Sequence, residues 1–110
     1  MTDLSVEGLS EQAREVAEAI VACAREHLGD DPHTGGCKAF YDPKNWKYDF
    51  SNNAVLMVAH DGGDFAPFFN WDYESYDLIE SLSAYLEPLG YYAEQCTTWY
   101  SGIYPIEVNP

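Results

Sequence analysis

Downstream of Lys47 the chain has no lysine and no arginine. Binding free nucleic acid relies on cations that neutralise phosphates, so that absence excludes DNA or RNA as a direct ligand of this half. It excludes an anionic membrane surface for the same reason. No stretch approaches the ~18 apolar residues of a membrane-spanning helix. The N-terminus, MTDLSVEGLSEQ, carries acids where a secretory signal would carry a basic segment, and the expectation is a cytoplasmic protein. Cysteine is sparse. Cys23, Cys37 and Cys96 are odd in number, widely spaced and without a CxxC pair, so reduced thiols are expected and a Cys37–Cys96 bridge is the minor alternative. The glycine-bearing stretch GDDPHTGG has no lysine and the wrong charge for a phosphate-binding loop. Internal repeats and low-complexity runs are also missing.

What is present is acid and aromatic. The formal net charge is −14, from 19 acids against 5 bases. Residues 48–110 hold ten of those acids, and His60 is the only side chain there able to become cationic. Hydrophobic residues make up 46% of the 110-residue chain and aromatics 15%, which is more than an acidic disordered tail would carry. The length suits one domain spanning residues 1–110, able to bury roughly two-thirds of its unfolded surface without metal or disulfide. A folded surface of one sign repels itself, so the remaining partner classes are cations, metal ions and basic protein surfaces.

Residues 1–8 read as a frayed lead-in. Ser10 then caps a helix running to about Leu28, with Gly29 just past its end. Leu9, Ala13, Val16, Ile20, Cys23/Ala24 and Leu28 recur at helical spacing and mark its buried stripe. Residues 36–41 read as a short strand, and 54–60, AVLMVAH, as a central one. Asp61-Gly62-Gly63-Asp64 is predicted to be a hairpin turn, with Phe65–Phe69 returning as a strand at an edge or bulge because of Pro67. A second helix is expected from about Tyr73 to Glu87, capped by Asp72, with Tyr76, Ile79, Leu82/Ser83 and Leu86 facing inward. Tyr91–Tyr100 reads as a long strand, Ser101-Gly102 as a turn, and Ile103–Val108 as a last strand at an edge. The predicted order α-β-β-β-α-β-β implies an α+β fold, with two helices on an antiparallel sheet of about four to five strands.

The second helix is the sharpest feature. Asp77, Glu80 and Glu87 fall near one outward line, with Glu74 near it, and Asp72 also avoids the apolar stripe. Neighbours three or four apart on a helix lie about 5–6 Å from each other, an interval comparable with that between phosphates on a nucleic-acid strand. A solvated helix face is normally charged too, but such faces usually intersperse cations that form i,i+4 pairs, and this one has none. Tyrosine and tryptophan crowd the same half, as they do in interface cores and hot spots. The candidate partner-binding residues are Asp72, Tyr73, Glu74, Asp77, Glu80, Glu87 and Glu94, with Asp61 and Asp64 of the Gly-Gly turn.

Other chemistry is weaker. His60, Asp61 and Asp64 offer donors for a divalent ion, though turn chemistry accounts for them as well. His27, His33 and Cys37 have loosely zinc-like spacing but lack a fourth ligand. Pairing of Cys37 or Cys96 with His60 for nucleophilic catalysis has no local signature to support it. No catalytic residue and no cofactor is assigned, and the expectation is a protein that is not an enzyme.

In size, charge, its cation-free half and the segment DYESYDLIESLSAYLE, the chain resembles the small acidic inhibitors of phages and mobile elements. These are the antirestriction and anti-CRISPR proteins that act as DNA mimics. It is similar, as loosely, to acidic immunity proteins that block nuclease toxins. The resemblance is one of character and assigns no residue. It implies an inhibitor that binds the basic, nucleic-acid-binding surface of a defence nuclease. A domain adapted to a saline host, or a small metal-binding module, are the alternatives.

Overall fold

The computed structural model describes residues 4–33, 38–49, 51–61 and 63–106. Helix α1, Glu11–Leu28, begins where its sequence says it should. The Ser10 hydroxyl accepts the Ala13 N–H at 3.1 Å, which satisfies one of the orphan donors of the first turn. The helix ends at Gly29, whose φ of 90° favours glycine and whose N–H bonds Arg25 O at 3.0 Å. Ala13, Val16, Ala17, Ile20, Val21, Cys23 and Ala24 are buried, whereas Leu28 is exposed. In the expected frayed lead-in, residues 1–3 lie outside the described residues, and Leu4 and Val6 pack against the core.

The strands are β1 (Phe40–Tyr41), β2 (Leu56–Ala59), β3 (Tyr91–Gln95) and β4 (Tyr100–Pro105), all antiparallel in the order β1-β2-β4-β3. Two further helices, α2 (Ala66–Phe69) and α3 (Tyr76–Leu86), stand between β2 and β3. Among the described residues the architecture is therefore α+β, with three α-helices and a four-stranded antiparallel sheet. Residue 36–37 of the predicted first strand lies outside the described residues. The predicted third strand is a turn of helix. Pro67 sits in its first turn, where a missing N–H costs nothing.

Two further expectations change. Tyr91–Tyr100 is not one strand but a hairpin that reverses at residues 96–99. There the Thr97 hydroxyl accepts the N–H groups of Trp99 and Tyr100, at 3.2 and 3.3 Å. Ser101-Gly102 is not a turn; it lies inside β4, and β4 is an inner strand rather than an edge. Gly102 makes room for a neighbouring ring instead. A Cβ there would fall 2.6 Å from the Tyr104 hydroxyl, because the Tyr104 ring lies back over it. Pro105 is tolerated because it ends the strand.

Side chains alternate across the sheet. Leu56, Val58, Ile103 and Phe40 point to the helices and share one core with Val16, Ile20, Leu82 and Leu86. Met57, Ala59 and Tyr100 point the other way. All three are buried, and Tyr100 belongs to an aromatic cluster in which Trp46 packs at 5.0–5.9 Å from Tyr41, Tyr48, Trp99 and Tyr100. Among the described residues, no helix is long and apolar enough to cross a membrane.

Candidate protein-binding surface

The segment linking α2 to α3 is built to hold its side chains outward. Asn70 is buried and works in three directions. Its backbone N–H closes α2 onto Ala66 O at 2.7 Å, its Oδ1 accepts the Asp72 N–H at 2.9 Å, and its Nδ2 donates to Thr98 O at 3.2 Å. The Trp71 N–H donates to Gln95 Oε1 at 3.0 Å. The 3₁₀ turn Trp71–Tyr73 is thereby pinned to the β3–β4 hairpin through its backbone, which leaves its side chains free to face solvent. Glu74 closes the turn with φ 55°, a left-handed conformation uncommon outside glycine. Strained residues of this kind persist where surrounding structure over-determines them, and they concentrate at functional surfaces.

The result is an exposed aromatic knuckle with carboxylates interleaved along its sequence. Trp71, Tyr73 and Tyr76 are 54%, 52% and 52% exposed, and the Trp71 and Tyr76 rings lie 5.8 Å apart. Asp72, Glu74, Asp77 and Glu80 are exposed within the same ten residues. Tyr76 was expected to face inward. Helix α3 starts three residues later than predicted, at Tyr76 itself, so Leu82 and Leu86 carry its burial. Asp72 is likewise not its cap. Ser75 holds the cap position and makes no side-chain bond there. Asp77 in the first turn still complements the helix dipole. The expected row of acids along one helix is thus shorter: Asp77 and Glu80 lie within α3, Glu87 at its C-terminal cap, and Asp72 and Glu74 on the preceding turn.

The other candidate residues lie elsewhere. Glu94 is exposed on the edge strand β3, on the sheet face away from the helices. Asp61 is exposed after β2. Asp64 is part of a clip: its Oδ2 accepts the His33 N–H at 2.8 Å, and its own N–H donates to His33 O at 2.7 Å.

His60 is 1% exposed, stacked on Phe69 with ring centroids 5.2 Å apart, with Nε2 2.9 Å from Ser101 Oγ. Burial pushes its pKa down to about 4, so it is neutral near pH 7 and residues 48–106 then carry no cationic side chain. Among the described residues, no three His, Cys, Asp or Glu side chains gather to hold a metal, so His60, Asp61 and Asp64 do not form a site. Gly62 and Cys37 lie outside the described residues. Cys23 and Cys96 are free thiols, each held above its usual pKa mainly by burial, which disfavours the nucleophilic thiolate.

The cations divide between the β1 region and α1. Lys38, Lys44 and Lys47 flank β1, the opposite edge of the sheet from β3, and Lys38 Nζ sits 5.4 Å from the centre of the Tyr41 ring. Arg14 and Arg25 are on α1. Sequence reading also missed the contacts that join α1 to α3. His27 Nε2 lies 2.7 Å from Ser81 Oγ, and the Tyr85 hydroxyl donates to the Glu26 carboxylate. No spacing rule links residues so far apart in the chain. Compared with protein-family models, curated proteins and solved structures, the chain matches none.

Proposed function

We propose that this protein is an acidic inhibitor that docks on a basic, nucleic-acid-binding surface of a nuclease-type effector, through the knuckle at Trp71–Glu80. The observation that carries this reading is the juxtaposition of three half-exposed aromatic side chains with four exposed carboxylates on a backbone tied to the sheet. Exposed Trp and Tyr supply desolvated contact area and stack on arginine faces. The carboxylates steer a cationic partner and reject an anionic one. Inhibition follows from occupancy, because a surface covered by these acids is closed to the phosphates it normally holds.

The test is retention of basic restriction-type, CRISPR-type and toxin nucleases on the immobilised protein, with salt and competing nucleic acid both titrated. Retention should fall with salt and with competitor. Trp71→Ala, Tyr73→Ala and the Asp77→Lys/Glu80→Lys pair should each weaken it at least tenfold, about 1.4 kcal/mol. Glu11→Lys/Glu15→Lys on α1 should have a much smaller effect. Salt-independent retention, or equal losses from both helices, would overturn the proposal. Circular dichroism in low salt separates it from general saline adaptation, which predicts loss of structure there.

A further inference from the structure

On the sheet face away from the helices lies an open groove of about 680 Å³. Its lining includes Asp49, Asn52, Asn53, Tyr92, Glu94 and Tyr104, with Pro105 at the strand end. Tyr92 and Tyr104 are directly paired across β3 and β4, with ring centroids 5.7 Å apart and planes tilted by 32°. Tyr104 can lie along the sheet because Gly102 beneath it has no Cβ. Asp49, Asn52 and Asn53 also line the groove, beside two hydrogen bonds. The Tyr100 hydroxyl donates to Asp49 O at 3.3 Å, and the Ala54 N–H donates to Ser51 O at 3.1 Å across a turn in which Asn53 takes φ 66°. Two carboxylates, Asp49 and Glu94, and two carboxamides therefore line one groove with the tyrosine pair.

We infer that this groove receives the guanidinium of an arginine side chain from a basic protein partner; the choice of a protein partner rests on the function proposed above. The chemistry of the lining selects the ligand. A guanidinium is planar, presents its donors in a fixed fork, and is weakly hydrated, so it can stack on a tyrosine face while bonding a carboxylate at its edge. Glu94 and Asp49 supply the charged acceptors, and the carboxamide oxygens of Asn52 and Asn53 can take the remaining N–H groups. Two stacking contacts of roughly 3.5 Å would need rings roughly 7 Å apart, so the cation does not slip between Tyr92 and Tyr104. It lies against them as one wall. Lysine, a compact and strongly hydrated point charge, matches the flat wall and the fork less well. The volume exceeds what one guanidinium fills, leaving room for the flanking peptide.

The inference is tested without the partner, by following the ring resonances of Tyr92 and Tyr104 while N-acetyl-L-arginine amide is added at constant ionic strength. Saturable shifts with a dissociation constant on the order of millimolar are expected. N-acetyl-L-lysine amide should bind several-fold more weakly. Glu94→Gln should weaken the arginine derivative about tenfold, and Tyr92→Leu by roughly three- to fivefold. Glu11→Gln/Glu15→Gln should change nothing. Equal responses to arginine, lysine and sodium chloride would overturn the site, as would an unaltered affinity in Glu94→Gln. Agmatine binding more than tenfold tighter than the blocked arginine would also overturn it, because the occupant would then be a free small cation. Since no partner is present, failure here leaves the knuckle reading standing. Loss of nuclease retention would leave the groove standing.

Discussion

Helices α1 and α3 pack against each other and share one core, yet they are finished in opposite ways. Helix α1 has a hydrogen-bonded serine cap, an acid in its first turn, Arg25 and His27 in its last turn, and a glycine stop. Each of these favours a helix in isolation. Helix α3 has a serine at its cap without a side-chain bond, no base in its last turn, and Glu87 where the dipole is negative. It also leaves Tyr76 half-exposed. The C-terminal end of α1 complements its dipole, whereas that of α3 runs against it. Packing underneath holds α3 in place, and that leaves its surface available for binding.

If one shared core holds both helices, the largest losses of stability come from its own side chains. Ile20→Ala in α1 and Leu86→Ala in α3 should each cost about 3 kcal/mol, since both residues are fully buried. Urea unfolding measures this. A cost under about 1 kcal/mol for Leu86→Ala would mean that α3 is only loosely attached.

The next effect is pH-dependent and concerns the sheet end beneath α2. His60 is neutral when folded until the pH nears about 4, whereas in the unfolded chain it protonates near 6.5. Between those values the unfolded state holds the extra proton, so stability falls as pH falls. The size is roughly 2–3 kcal/mol over that window, and above pH 6.5 the contribution is flat. Unfolding midpoints from pH 7 to 4.5 should therefore drop more steeply in the wild type than in His60→Gln. Parallel profiles would contradict a buried neutral imidazole.

Smaller effects sharpen the contrast between the caps. Ser10→Ala should destabilise by about 1 kcal/mol, and Ser75→Ala by much less, because only Ser10 makes the bond. Thermal melts of the two variants give the difference directly. Smallest of all, Glu87→Gln should stabilise by about 0.5 kcal/mol, through removal of a like charge from the C-terminal end of α3. A destabilised Glu87→Gln would show that the acid has a structural partner.

The elements legible in the sequence were those with local causes. Helix α1 could be bounded from Ser10 and Gly29, and β2 from its apolar run, because cap chemistry and burial pattern act over a few residues. Helix α2 was hidden: one turn is too short to show a period, and Pro67 suits a first helical turn as readily as a bulge. The hairpin at 96–99 was hidden because Thr97 makes the turn with a hydroxyl rather than with glycine. Gly102 misled for the opposite reason. It signals a turn locally but serves a contact with Tyr104. Of the candidate surface, the acids and Tyr73 were legible from composition. Trp71 and Tyr76 were not distinguished as exposed, since an aromatic residue at helical spacing looks the same whether it faces in or out.

By itself the sequence determined the net sign of the molecule, −14, and that residues 48–110 offer a phosphate no Lys or Arg, whatever the topology. It also determined the α+β class, because the periods of its apolar residues are local properties. Only the tertiary structure decided which aromatic side chains are exposed, that His60 is buried and neutral, and that β4 runs through the middle of the sheet with a groove on its far face. These depend on which strands pair and what covers them, and such contacts join residues too distant in the chain for any local pattern to encode.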